Sequence, residues 1–266
     1  MLKRFISMIV GILILAGVML LNSTLVFSIA VTVVAMIGLY EFYHTLKQRD
    51  VHPIEWLGYI VTFGLIFIPY IPVATLRVIL VMILPAALLV LFSASIFSNL
   101  KRNILDISVT VLGMIYVTYL FSFLIFTRQL ENGTYYLWFI LAGAWITDIF
   151  AYLVGMAIGK HHFSEISPKK SIEGCIGGIV GCALFFIGYS YYLNSIGFEL
   201  NYIVMGIIGI VVSIISQIGD FAASSIKRYC KVKDFGNIMP GHGGVLDRFD
   251  SILFVAPFVY LLFSMM

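Results

Sequence analysis

The chain reads as an all-α polytopic membrane protein of about nine transmembrane helices, and three observations carry that reading. Hydrophobic residues make up 61% of its 266 positions and charged residues 11%, whereas an ordinary soluble domain carries about 25% charged residues. The apolar residues run in blocks of about 20, the length over which a helix can satisfy its own backbone polar groups across hydrocarbon. Lys and Arg, finally, gather in alternate gaps between those blocks.

The runs lie at roughly 5–21, 24–45, 54–71, 75–95, 105–127, 135–159, 175–194, 201–222 and 251–265. The first follows Lys3 and Arg4, as a secretory signal peptide would, but its apolar stretch is long and no small-residue cleavage pattern follows, so it is read as a retained helix. With the N-terminus in the cytoplasm, all sixteen Lys and Arg except Arg77 and Arg128 fall on the cytoplasmic side. That bias orients the chain and puts the C-terminus outside. The basic face would attract anionic headgroups or anionic substrates. Nucleic acid is not expected as a partner, because no soluble domain exists to carry it.

No internal repeat or linker divides the chain, which is read as one integral membrane domain, 1–266. Within it, 1–130 is mainly scaffold. Its acidic residues Glu41, Asp50, Glu55 and Asp106 are expected near span ends, where water is available. From 135 to 266 polar residues enter the spans, and cytoplasmic loops appear at 160–174 and 223–250. Cys175, Cys182 and Cys230 have no metal-like spacing and read as packing residues.

Four constellations in this second part can carry chemistry. The sixth run contains Asp148, an intramembrane carboxylate that should face a wet cavity or a partner. Ala144, Ala151, Gly155 and Gly159 lie near the same helical face, and they alternatively form a packing surface. The loop "KHHFSEISPKKSIEG" places Lys169 and Lys170 after a Ser-Pro turn, either as a grip for phosphate or as solvated cytoplasmic charge. His161 and His162 lack a third ligand and are not assigned to metal.

In the eighth run Ser213, Gln217, Asp220, Ser224 and Lys227 follow one another at spacings of four, three, four and three. They therefore share one helical face and should line a polar cavity open to the cytoplasm, or else form a polar seam between helices. The last constellation is "GHGGVLDRFD". Gly241, Gly243 and Gly244 allow close backbone approach to a ligand, and His242 and Arg248 can meet phosphate oxygens. Asp247 and Asp250, three apart, share a face if helical. Their repulsion favours a cation such as Mg²⁺, which binds one or two carboxylates together with substrate phosphates.

The stretch 224–250, "SSIKRYCKVKDFGNIMPGHGGVLDRFD", resembles the signature of the phosphatidate cytidylyltransferase, or CDP-diacylglycerol synthase, family. It has a Ser, then Lys-Arg, Lys-Asp, His-Gly-Gly and Asp-Arg-x-Asp. Met239 stands where the family usually has Leu, Ile or Phe, and "SPKKSIEG" resembles the family's Ser-Pro-Lys-Lys-Thr-x-Glu-Gly with Ser171 for Thr.

The resemblance implies a reaction of CTP with phosphatidate that yields CDP-diacylglycerol and pyrophosphate for phospholipid synthesis. It implies dependence on one or more Mg²⁺ ions. It also implies an active site on the cytoplasmic side, in contact with membrane lipids. On this reading Asp220 and Asp247 are the first metal-ligand candidates, with Asp250 and Asp148 next. Lys227 and Ser224 join the catalytic set. Lys169, Lys170, Arg228, Lys233, His242, Gly243, Gly244 and Arg248 bind the substrates. The rivals are an ether-lipid cytidylyltransferase, a polyprenol-type kinase and a transporter. A phosphatidyltransferase is disfavoured because the chain contains no Asp-Gly pair. The short first extramembrane loop and the absence of a targeting extension point to a bacterial inner membrane. The sequence leaves oligomeric state open, a homodimer included.

Overall fold

The computed structural model describes residues 11, 16–19, 21, 23–99, 101–161, 170–239 and 243–266. The expected run 5–21 falls largely outside these residues, as do the candidate site residues Lys169 and His242. Among the described residues the chain is helical, and a β-type bridge pairs Met239 with Gly243.

The helices are α1 (Thr24–Lys47), α2 (Glu55–Phe63, continued by a 3-10 turn, Gly64–Tyr70), α3 (Val73–Phe97), α4 (Ile104–Gln129), α5 (Gly133–Ile158), α6 (Ile172–Ser195), α7 (Tyr202–Tyr229) and α8 (Leu246–Ser264). Six of these among the described residues, α1 and α3 to α7, are long and apolar enough to cross a membrane. The chain is an integral membrane protein. The α2 segment is shorter, and α8 carries Asp247, Arg248 and Asp250 in its first turns. Two ends moved from their expected places: α7 continues to Tyr229 and α8 begins at Leu246. Hydropathy alone puts the charged residues there in loops, but they continue the helices beyond the apolar runs.

The chain divides into two compact units, Met1–Gln129 with Tyr229–Arg248, and Leu130–Arg228 with Phe249–Met266. In the first, the fully buried Tyr43 of α1 packs where Gly58 and Gly113 lack side chains, and its hydroxyl donates to the Thr110 carbonyl at 2.9 Å. Ile54, Leu57, Ala87, Leu91, Ile107 and Met114 close a second apolar cluster among α2, α3 and α4. Helix α4 starts with a reciprocal cap. Asn103 Oδ1 accepts from the backbone N–H of Asp106 at 3.1 Å, and Asp106 Oδ2 accepts from the N–H of Asn103 at 3.0 Å. The other oxygen of Asp106 accepts from His52 N at 2.6 Å.

Asp106 and Glu41 are only 1% and 2% exposed. This corrects the expectation that both sit near water: hydropathy cannot see backbone donors that arrive from other segments.

In the second unit, α5 and α6 pack through small residues. A side chain on Gly178 would begin 2.8 Å from the Thr147 carbonyl, and one on Gly174 would begin 3.1 Å from the Gly155 Cα. The small-residue face of α5 is therefore a packing surface, as small residues permit between membrane helices. Ser171 caps α6 by accepting from Gly174 N at 3.1 Å. Aromatic rings fill the far end, with Phe139 4.8 Å from Phe186 and Tyr136 stacked 4.0 Å from Phe263.

Candidate active site

The polar stripe of the eighth run lies on α7 as expected, and its two ends behave differently. Ser213 and Gln217 are buried, and the Gln217 amide donates to the Cys175 carbonyl of α6 at 3.1 Å and to Ser213 Oγ at 3.3 Å. This inner end is a seam between helices. An adjoining face of α7 presents Ile207, Ile210, Ile214 and Ile218 outward, as a lipid-facing surface does.

The outer end holds Asp220, Ser224 and Lys227, all partly exposed. The Asp220 carboxylate pairs with the Lys170 ammonium, which also lies 4.8 Å from the centre of the Phe221 ring. Gly219 lets α8 close in, since a side chain there would begin 2.9 Å from the Asp250 carbonyl. Asp250 is buried. One of its oxygens accepts from Ser251 N at 2.8 Å, the other faces Lys227 Nζ at 4.0 Å, and the like charges of Asp220 and Asp148 act on it. Asp148 on α5 is exposed. The second unit thus brings together three carboxylates and two ammonium groups predicted from sequence.

Lys170 and Lys227 act as counter-charges, the first to the partly exposed Asp220 and the second to the buried Asp250. Among the described residues no group of three or more His, Cys, Asp and Glu is gathered as a metal cage. The donor set still suits Mg²⁺, because that ion is usually held by one or two carboxylates, with water and substrate phosphate completing its shell.

The other predicted residues that are described lie on the segment Tyr229–Arg248 of the first unit, except Arg228, which belongs to the second. Asp247 Oδ2 accepts from Phe235 N at 2.8 Å and from Gly244 N at 3.0 Å, which folds the loop back on the start of α8. Gly243 has φ +84°, a conformation that favours glycine, and its Cα faces Asp234 and Asp247. Lys233, Arg228 and Arg248 are exposed. Cys230 is buried, and burial pushes its thiol above the ordinary pKa, in keeping with a packing role. His161 Nδ1 lies 2.6 Å from Glu173 Oε1, which occupies it within the loop.

Sequence reasoning missed Glu41. Its carboxylate accepts from Val245 N at 3.0 Å and Leu246 N at 2.8 Å, at the start of α8. The available signal was a carboxylate inside an apolar run, followed by Thr45 and Arg49 at spacings of four.

Residues 2–266 match the model of the cytidylyltransferase family. The chain belongs to that family. It is 32% identical over 251 residues to the phosphatidate cytidylyltransferase of Staphylococcus aureus (strain COL), covering 91% of this chain and 92% of that protein. It is also similar to the phosphatidate cytidylyltransferase of Staphylococcus haemolyticus (strain JCSC1435), 38% identical over 178 residues and 66% of each chain. With the protein of that name from Bacillus subtilis (strain 168) it shares 39% identity over 162 residues, 60% of this chain and 59% of the relative. Family membership extends the likeness from the signature, where the sequence showed it, to the helices of the first unit.

Proposed function

We infer that this protein transfers the cytidylyl group of CTP to phosphatidate, giving CDP-diacylglycerol and pyrophosphate. The observation that carries this is the match along nine tenths of the chain to a protein named for that activity, together with a family signature whose charged residues lie at the end of α7, in the loop after it and at the start of α8. In the reaction a phosphate oxygen of phosphatidate attacks the α-phosphorus of CTP, and the bond to the departing pyrophosphate breaks. The protein's task in such a transfer is mostly to position two anionic substrates and to neutralise their charge.

Lys170 and Lys227, now paired with carboxylates, are the amines we assign to phosphate oxygens, with Lys169, Arg228, Lys233, His242 and Arg248 as further cationic groups. Ser224 lies one helical turn from both Asp220 and Lys227 and can donate to a phosphate. Gly243 and Gly244 keep the loop backbone low enough for a triphosphate to approach. When bound, Mg²⁺ supplies a Lewis acid that withdraws charge from the phosphates. Asp220, Asp247, Asp250 and Asp148 are the carboxylates we propose to hold it.

The basic face supports an active site toward the cytoplasm of a bacterial inner membrane, in a single domain of nine spans with the C-terminus outside. Purified protein given labelled CTP and phosphatidate should form labelled CDP-diacylglycerol only when Mg²⁺ is present. Absence of product from folded protein would overturn the assignment. For topology, single cysteines at exposed positions should label from opposite sides: Glu131→Cys from outside and Lys233→Cys from the cytoplasm. The reverse labelling would refute the orientation.

A further inference from the structure

The loop between α7 and α8, residues 230–245, carries most of the signature, yet few of its described residues are in regular structure. Something must fix its ends, because a helix leaves unsatisfied carbonyls at its C-terminus and unsatisfied N–H groups at its N-terminus. Here both ends are held by the C-terminal part of α1 and the turn that follows it. At one end, Arg49 donates through Nε to the Tyr229 carbonyl at 2.5 Å, and its guanidinium lies 5.0 Å from the centre of the Tyr229 ring. At the other, the two oxygens of Glu41 each take one N–H, from Val245 and Leu246. Between them, Thr45 donates from Oγ1 to the Phe235 carbonyl at 3.0 Å.

The charges suit their places. A cation at the end of α7 and an anion at the start of α8 each oppose the sign of the helix dipole there. Glu41, Thr45 and Arg49 are four residues apart, so they rise along one side of α1 and its C-terminal turn. Glu41 and Thr45 are 2% and 0% exposed, so water does not compete for either contact.

The signature glycines complete the arrangement. A side chain on Gly244 would begin 2.6 Å from Glu41 Oε2, and the Cα of Gly236 also lies against this carboxylate. The second glycine of the His-Gly-Gly run thus leaves room for an internal carboxylate. Asp247 then ties the same loop from its own side, through Phe235 N and Gly244 N.

We propose that Glu41, Thr45 and Arg49 are positioning residues that clamp the signature loop to α1, so that turnover depends on a helix outside the signature. None of the three is assigned contact with substrate. The proposal rests on the reading that this loop carries phosphate-binding groups. If it does, a displaced loop misplaces those groups, and a shift of about 1 Å can cost up to about a hundredfold in rate.

The test measures kinetics and backbone exchange together on purified wild-type, Glu41→Gln and Thr45→Val protein. Glu41→Gln keeps the shape but replaces one acceptor oxygen with an amide NH2, a donor that faces a backbone N–H. Its kcat should fall by about a hundredfold at saturating CTP and phosphatidate. Thr45→Val should lose roughly fivefold, the scale of one neutral hydrogen bond. Without substrates, deuterium exchange at residues 243–247 of Glu41→Gln should rise at least about tenfold, as protection lost with a charged hydrogen bond implies. Peptides from α5 and α6 should exchange as in wild type.

Unchanged exchange at 243–247 overturns the clamp. A rise shared equally by α5 and α6 overturns it too, by assigning Glu41 to general stability. So does a kcat within about twofold of wild type, well short of one hydrogen bond's effect. Should Glu41→Gln fail to insert, Gly244→Ala, which sets a methyl group against the same carboxylate, and Thr45→Val carry the same measurements. A wild-type protein inactive on CTP and phosphatidate would overturn the activity assignment, and exchange would then decide the clamp alone.

Discussion

Glu41 in the first unit and Asp220 in the second are both carboxylates on apolar helices, but they are held in opposite ways. Glu41 is 2% exposed, and two backbone N–H groups fixed by the start of α8 occupy its oxygens. The side chain of Asp220 is 24% exposed and pairs with Lys170, which lies just before α6. A backbone donor cannot leave without unfolding its segment, whereas a lysine ammonium on a flexible stem can exchange one anion for another. The backbone partners of Glu41 fix it in place, whereas the ion pair of Asp220 can open.

The largest effects should separate these two kinds of carboxylate. Asp220→Asn is expected to lower turnover by at least about a hundredfold, the scale of losing one strong electrostatic stabiliser. Amide exchange across 229–248 should stay as in wild type. Asp247→Asn should lose a similar factor and also loosen the loop at Phe235 and Gly244, since its carboxylate accepts both N–H groups. Steady-state kinetics with deuterium exchange distinguish the pair. Near-normal Mg²⁺-dependent turnover in an inserted Asp220→Asn protein would remove Asp220 from the metal-ligand candidates.

A smaller effect is expected at the partner of Asp220. Lys170→Gln should cost roughly tenfold in kcat/KM for CTP, phosphatidate or both, as the loss of one charge-assisted contact does. Measured kinetics unchanged below saturation would leave Lys170 as a topological charge alone. The least effect on chemistry should come from Gly178, which only packs. Gly178→Leu crowds the Thr147 carbonyl and should destabilise the protein by about 1–3 kcal/mol. Thermal unfolding in detergent would report this, while the folded fraction keeps its activity.

Much of this was legible from residues alone. The apolar runs gave α1 to α8 because a membrane helix must be apolar along its length whatever surrounds it. The stripe from Ser213 to Lys227 follows from helical spacing, which needs no tertiary information. The signature between Ser224 and Asp250 pointed to a cytidylyltransferase because its charged residues stand at fixed intervals. The ends of α7 and α8 were misplaced because hydropathy marks the edge of an apolar layer, while a helix ends where its caps and turns end it.

Sequence by itself determined the class of the chain, its helices and the chemical types available in the loops between them. Those are properties of local composition and period. Tertiary structure alone decided which polar residues are spent inside the protein. Gln217 and Ser213 went to a seam with α6, and Lys170 went to Asp220. Glu41 went to backbone N–H groups 204 and 205 residues away in the chain. The physical reason is that a buried polar group takes its character from the partner that satisfies it, and partners far apart in sequence become visible only once the chain has folded.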